Sequence, residues 1–397
     1  MNIRHPFGKR AAGFAAVFAA AALTLTACSG GGAGAGASAE SGAAPAPAAD
    51  GEVVKVGVAM PTQTSERWIA DGEAVKKGLE EAGFEVDLQF ANDDIPTQTQ
   101  QVDQMITSGA KVLVIAAIDG TALSSQLDAA GAAGIPVVSY DRLIRDNENV
   151  SHYVSFDNYK VGVAQANALL VGLGLVDKDG KEKADAPKGP LNIELFAGSL
   201  DDNNSHFFYN GAFDTLKPFI DKGVLVVKSG QTTIDQVATL RWSQEAAQKR
   251  MEDILTSNYG GGSEALAGVL SPYDGISRGI ITALQGAGYG PGLDKGLPVV
   301  TGQDAEIASV KLINDGVQQS TIFKDTRTLA KQAVKAVEAL GKGQEPEVND
   351  DKTYDNGVKV VPSFLLDVQT IYKEDIEPII IGSGYYTAEE VAAGLAE

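Results

Sequence analysis

The chain holds a single cysteine, Cys28, so an intrachain disulfide and a thiolate metal centre are both excluded. Histidine is nearly as scarce, with only His5, His152 and His206. A histidine-rich metal site and a Ser-His-Asp triad are therefore poorly provisioned. Basic residues are also few, 32 Lys and Arg against 52 Asp and Glu, which weighs against nucleic acid or anionic lipid as a partner. Tryptophan occurs only twice, at Trp68 and Trp242. Past residue 27, no apolar run approaches the ~20 residues a membrane-spanning helix needs.

One apolar run does exist, Ala11 to Leu25, behind the positive charges of Arg4, Lys9 and Arg10. With the small residue Ala27 before a cleavage point, residues 1–27 read as an export signal that is removed. Leu25-Thr26-Ala27-Cys28 resembles the lipobox of bacterial lipoproteins, and that resemblance implies cleavage before Cys28 and lipidation of its thiol. An ordinary secretory signal with an incidental cysteine, or a start-transfer anchor, is the plainer alternative. Loss of the three basic residues in the signal leaves 29 against 52, a net charge of −23. Residues 28–51 are almost all Gly, Ala, Ser and Pro, a composition that cannot bury enough apolar surface to fold. They read as a flexible tether with a reach of roughly 25 Å.

From Glu52 onward the chain is long enough for two domains. Short β-branched runs alternate with helical patterns. Strands are predicted at Val53–Ala59, Val86–Phe90, Val112–Ile115 and Pro136–Ser139, with helices between them at Glu66–Ala82, Thr97–Ser108 and Thr121–Ala132. Gly83 and Gly109 stand where helix stops are expected. A second set follows a helix from Asn158 to about Gly172 and a charged loop at Asp177–Gly189. Its strands are Asn192–Ala197, Val224–Lys228, Ala267–Leu270 and Pro298–Thr301. Its helices are Asn204–Leu216, Asp235–Leu255, Gly275–Gln285 and Ala305–Asn314. The pattern predicts an α/β protein with two doubly wound parallel sheets.

Ligands of open parallel sheets bind beyond the carboxyl ends of the strands, and polar clusters fall there. They are Glu66-Arg67-Trp68, Tyr140-Asp141-Arg142, Asp201-Asp202-Asn203-Asn204, Tyr273-Asp274 and Gln303-Asp304. Carboxylates accept two bonds and guanidinium donates in a fork, which suits neighbouring hydroxyls, and an indole face suits the C–H side of a sugar ring. Each cluster alone also reads as a cap, a surface ion pair or core packing; their shared placement carries the binding reading. A hexose of about 12 heavy atoms bound at micromolar affinity needs about 0.7 kcal/mol per atom, under the ~1.5 kcal/mol ceiling for small ligands.

These stretches resemble the type I periplasmic sugar-binding proteins of ABC importers, in the multiple-monosaccharide and xylose-binding subgroup. The likeness rests on Ser65-Glu66-Arg67-Trp68, Ile118-Asp119-Gly120, Tyr140-Asp141-Arg142-Leu143-Ile144, Ser155-Phe156-Asp157-Asn158, Asp201-Asp202-Asn203-Asn204, Leu270-Ser271-Pro272-Tyr273-Asp274-Gly275, Thr301-Gly302-Gln303-Asp304-Ala305 and Phe323-Lys324-Asp325-Thr326. It implies two Rossmann-like lobes on a three-segment hinge, residues 52–156 with 324–359 and residues 157–323 with 360–397. It implies hydrogen bonds to a monosaccharide from Glu66, Arg67, Asp141, Arg142, Asn203, Asp274, Asp304 and Lys324, with Trp68 and Trp242 on its faces. It also implies a monomer anchored by lipid outside the cytoplasm, closing on its ligand and serving permease subunits, with a chemoreceptor or sensor as a further partner. No cofactor, metal or nucleic acid is expected. Ala246 stands where the xylose branch has asparagine, which favours the broader multiple-sugar branch, and Leu200 replaces a common proline.

Three rivals share parts of the pattern. Sugar-responsive repressors use the same fold but carry a basic helix-turn-helix where this chain has a signal and tether. A secreted glycosidase needs paired carboxylates, and adjacent ones such as Asp93-Asp94 are ordinary surface features. A binder of a furanosyl signal molecule or a nucleoside is not separated by the two tryptophans. Asp177-Lys178-Asp179-Gly180 fails as a calcium loop because Lys181 occupies a ligand position.

Overall fold

The structure, a computed structural model, describes residues 53–396. The export signal, Cys28 and the tether lie outside the described residues. The chain runs β1 (Lys55–Met60), α1 (Glu66–Glu81), β2 (Glu85–Phe90), α2 (Ile95–Thr107), β3 (Val112–Ile115), α3 (Ser124–Ala132), β4 (Val137–Tyr140) and β5 (Val150–Phe156). Then come α4 (Asn158–Gly172), β6 (Leu191–Leu195), α5 (Asn203–Asp221), β7 (Leu225–Val227), α6 (Ile234–Val237), α7 (Gln244–Asn258), β8 (Gly268–Leu270), α8 (Asp274–Gly286), β9 (Val299–Val300) and α9 (Ile307–Asn314). The last elements are β10 (Thr321–Phe323), α10 (Thr326–Gly341), β11 (Ser363–Leu366), β12 (Gln369–Ile371) and α11 (Ala388–Ala393).

Two parallel sheets result, of order β11-β5-β4-β3-β1-β2 and β7-β6-β8-β9, and β10 pairs antiparallel with β12. Strands β1, β3 and β4 are buried throughout apart from the first residue of β1, because apolar side chains meet helices on both faces. Val75, Leu79, Leu329 and Val337 of α1 and α10 cover one face of the first sheet; Val102, Met105 and Leu127 of α2 and α3 cover the other. The second sheet is sandwiched by Leu169 and Leu216 of α4 and α5 and by Met251 and Ile280 of α7 and α8. In each sheet the first strand lies between the second and the third. The order reverses there, and loops diverge to leave a crevice at the strands' carboxyl ends.

Two differences from the sequence reading matter. The helix expected over Asp235–Leu255 is broken. The Thr239 amide donates to the Gly198 carbonyl at 3.1 Å and the Arg241 amide to Ser199 Oγ at 2.9 Å, which pins the intervening turn to the end of β6. Ser243 Oγ then caps α7 by accepting from the Ala246 amide. The second difference is a correction to the lobe boundary at residue 360. Strand β11 pairs in parallel register with β5, Ser363 against Tyr153 and Leu366 against Phe156. Residues 363–366 therefore belong to the first sheet, and the third crossing falls between Leu366 and Gln369.

Helices α4 and α5 approach closely because both carry glycine at the contact. A Cβ on Gly162 would lie 2.0 Å from the Phe208 carbonyl oxygen, and one on Gly211 2.2 Å from that of Tyr159. Gly162→Ala must spread the pair, and overpacking of this kind costs about 1–3 kcal/mol. Urea unfolding is expected to show that loss as a lower midpoint with an unchanged slope.

Candidate functional site

The crevices of the two sheets face each other and enclose a cleft of about 360 Å³, at the lower end of the range of about 300–1,000 Å³ usual for small-molecule pockets. Thr62 and Ser65 reach it from the loop after β1, Asp141 and Arg142 from the end of β4, and Arg67 and Trp68 from the first turn of α1. The second sheet contributes Asp202 and Asn204 at the start of α5, Tyr273 after β8, and Gln303 and Asp304 after β9. Lys324 enters from the end of β10.

Charges in the cleft are paired in chains. Arg67 donates through Nε to Asp71 at 2.8 Å and through Nη2 to Asp141 at 2.5 Å, and its Nη1 lies 3.5 Å from Asp304. Lys324 Nζ sits 3.0 Å from Asp304 and 3.8 Å from Asp141. Arg142 Nε faces Asp202 across the cleft at 3.1 Å. Arg67, Asp141 and Lys324 are each 5 % exposed or less, so these bonds act with little screening by water. Burial opposes the charge of Asp141, but Arg67 and Lys324 outweigh it and hold its carboxyl at about 2. Asp71 moves the other way, raised by burial to about 6 against the pull of Arg67 and the Tyr140 hydroxyl.

The backbone is distorted at this place. Asp93, Asp141, Arg241, Trp242 and Asp304 all have positive φ, five of the eight non-glycine residues that do among the described residues, and all five line the cleft. Such conformations cost of order 1–3 kcal/mol each and persist where the surroundings over-determine them. Asp141 shows how: its carbonyl accepts from Tyr153 Oη at 2.6 Å, Ser155 Oγ at 2.8 Å and Asn204 Nδ2 at 2.9 Å.

Both tryptophans flank the site. The guanidinium carbons of Arg67 and Arg142 lie 4.6 and 5.0 Å from the centre of the Trp68 ring system. Trp242 makes edge contacts with Phe208 and Tyr273 at 6.3 and 6.1 Å, and its Nε1 is buried without a protein partner. The bend at Arg241-Trp242 lays the indole over Gly198, where a Cβ would come within 2.1 Å of the ring.

Of the ten residues expected to touch ligand, Arg67, Trp68, Asp141, Arg142, Trp242, Asp304 and Lys324 line the cleft. Three do not. Asp274 is fully buried below it and accepts from Gln318 Nε2, Thr321 Oγ1 and the Glu306 amide; burial and the Glu306 charge push its carboxyl well above the usual range. Asn203 turns its Oδ1 to Arg145 at 3.2 Å, while Asn204, one residue and about 100° further round α5, faces the cleft. Glu66 accepts from the Ile307 amide at 3.2 Å, outside the lining. Sequence reasoning also missed Tyr273 and Gln303, though both stand in the polar clusters at strand ends.

Parallel sheets with matching crevices that close face to face define a solute-binding protein. Residues 56–345 match the periplasmic binding protein domain, and the chain belongs to that family. It is 57% identical over 337 residues to the multiple sugar-binding periplasmic receptor ChvE of Rhizobium radiobacter, covering 85% of this chain and 92% of that one. It is 52% identical over 333 residues to the multiple sugar-binding periplasmic protein SbpA of Azospirillum brasilense, covering 84% and 89%. A solute-binding protein of an ABC transporter from Clostridium phytofermentans, solved with bound β-D-glucose, superimposes with a TM-score of 0.79 at 46% identity, covering 85% of this chain and 99% of that one.

The low value at Asp141 sets the sign of one pH effect. A carboxyl depressed on folding adds stability above its unfolded value near 3.8, and that contribution fades as pH falls from about 4 toward 2. The shift corresponds to about 2 kcal/mol. Unfolding free energies from urea titrations between pH 5 and pH 2 are expected to fall less steeply in Asp141→Asn than in the wild type, by about that amount.

Proposed function

We propose that the chain is an extracytoplasmic receptor that captures a neutral monosaccharide by closure of its two halves and hands it to an ABC importer, without altering it. The observation that carries this is the charge balance of the cleft. Arg67, Arg142, Arg241, Arg278 and Lys324 are matched by Asp93, Asp141, Asp202, Asp304 and Glu245, five against five, on a chain that is strongly acidic overall. An anion or cation would need a surplus of one sign. An uncharged polyol needs paired, directional donors and acceptors, and the two indoles suit its C–H faces. The sugar receptors among the relatives and the glucose held by the Clostridium protein point the same way.

In this reading Arg67, Asp141, Arg142, Asp304 and Lys324 bond the hydroxyls, joined by Asn204 and the Trp242 Nε1. Glu66, Asn203 and Asp274 hold the framework. The receptor is a monomer, exported by residues 1–27 and held by lipid on Cys28. Its closed form is the species that a permease, or a sensor of ligand occupancy, distinguishes from the open one.

Calorimetry against glucose, galactose, arabinose and xylose, with glutamate and sulfate as charged controls, is expected to give heat with the aldoses alone. Heat from the charged controls and silence from the sugars would sink the reading. Arg142→Ala removes charge-assisted bonds of about 1.5–3 kcal/mol, so sugar affinity is expected to fall roughly 10- to 100-fold while circular dichroism stays unchanged.

A further inference from the structure

Beside the cleft the two halves are joined by a second set of bonds whose carboxylates, Glu306 and Glu66, do not line it. Glu306, the residue before α9, is 2 % exposed and does not line the cleft. Its Oε1 accepts from Tyr273 Oη at 2.6 Å and its Oε2 from Arg278 Nη2 at 2.7 Å, both from its own side. The same Oε1 accepts from Ser65 Oγ of the opposite half at 2.7 Å. One residue on, the Ile307 amide donates to Glu66 Oε2, also from the opposite half, at 3.2 Å. The Glu306 amide is fixed to Asp274 at 3.0 Å, which explains what that fully buried carboxylate positions.

We propose that Glu306 is a positioning residue that anchors a latch, Ser65–Glu306 with Glu66–Ile307, which exists only when the halves are closed and sets how long the protein stays shut. The inference rests on the reading of the chain as a clamshell binder and goes beyond it. Pocket contacts decide which ligand is held; the latch decides the dwell time of the closed form for whatever ligand is inside. Tyr273 and Arg278 bond the Glu306 carboxylate from within its own half, so little ordering remains to be done when the halves meet. Ser65 is free for this role because its side chain makes no capping bond to α1.

A contact to ligand and a latch between halves differ in one measurable way. Loss of a contact changes affinities unequally between ligands, whereas loss of a latch shifts the open–closed balance by one factor for all. With both tryptophans in the cleft wall, stopped-flow indole fluorescence follows binding directly. Ser65→Ala and Glu306→Gln are each expected to raise the dissociation rate about tenfold, by the same factor for D-glucose and L-arabinose, with the association rate unchanged. The double variant is expected to be no faster than the single ones, as for two members of one bond. Unchanged dissociation rates, or factors that differ between the two sugars, would overturn the latch. If Glu306→Gln fails to fold, Glu66→Ala, outside the lining and on the other bond of the latch, decides in its place. Silence of the wild type toward both sugars would sink the proposed function and the latch with it, because a bond made only on closure needs a ligand-held closed form to act on; with binding intact, the dissociation rates judge the latch alone.

Discussion

The guanidinium of Arg67 is the point on which the cleft depends. It leaves the first turn of α1, is gripped from behind by Asp71 one helical turn away, and meets Asp141 of its own half and Asp304 of the other. A buried cation is costly unless its partners are close and well aligned. Here the partners are supplied by both sheets, so the full set exists only in the closed arrangement. Lys324 repeats the logic from the crossing after β10, within 4 Å of the same two aspartates. The charges that would bond a ligand thus also join the halves.

Strain and charge support each other. Asp141 and Asp304 hold left-handed backbones, which turns their carboxylates inward from the ends of β4 and β9. The cost at Asp141 is offset by three bonds to its carbonyl, one of them from Asn204 of the opposite half. Side chains fixed this firmly have little freedom to rearrange around a ligand. Adaptation must come from rigid movement of one sheet against the other through the three chain crossings, a hinge motion rather than a remodelling of the site.

Much of this was legible in the chain. The run Val112–Ile115 follows the helix stop at Gly109, and the helix from Asn158 to about Gly172 precedes a charged loop; both are found with those bounds. Polar clusters after strands marked the cleft because strand ends in a parallel sheet converge there whatever their distance in sequence. What escaped depends on contacts that a linear reading does not contain. The bend at Arg241-Trp242 uses left-handed backbone without glycine, and its cause is a carbonyl and a hydroxyl more than 40 residues away, at Gly198 and Ser199. Asn203 and Asn204 are chemically alike, and only the phase of α5 separates them. Strand β11 lacks any local mark of its partner, which lies some 200 residues earlier.

The division between lining and support has a chemical logic. Asp274, Asn203 and Glu66 carry the same functional groups as the residues that face the cleft, yet each is spent on a neighbour in the framework. Asp274 collects three donors, the Glu306 amide from the loop that presents Gln303 and Asp304, and the side chains of Gln318 and Thr321 from the segment between α9 and β10. A substitution there disturbs several cleft residues at once and resembles, in any binding measurement, the loss of a direct contact. Glu306 stands one step further out, bonded to Ser65 across the gap while Asp274 fixes its backbone. The path from Asp274 through Glu306 to Ser65 therefore ties the second sheet's loops to the first turn of α1. That is the same turn from which Arg67 projects, so the outer bonds and the inner charges are set by one rigid element.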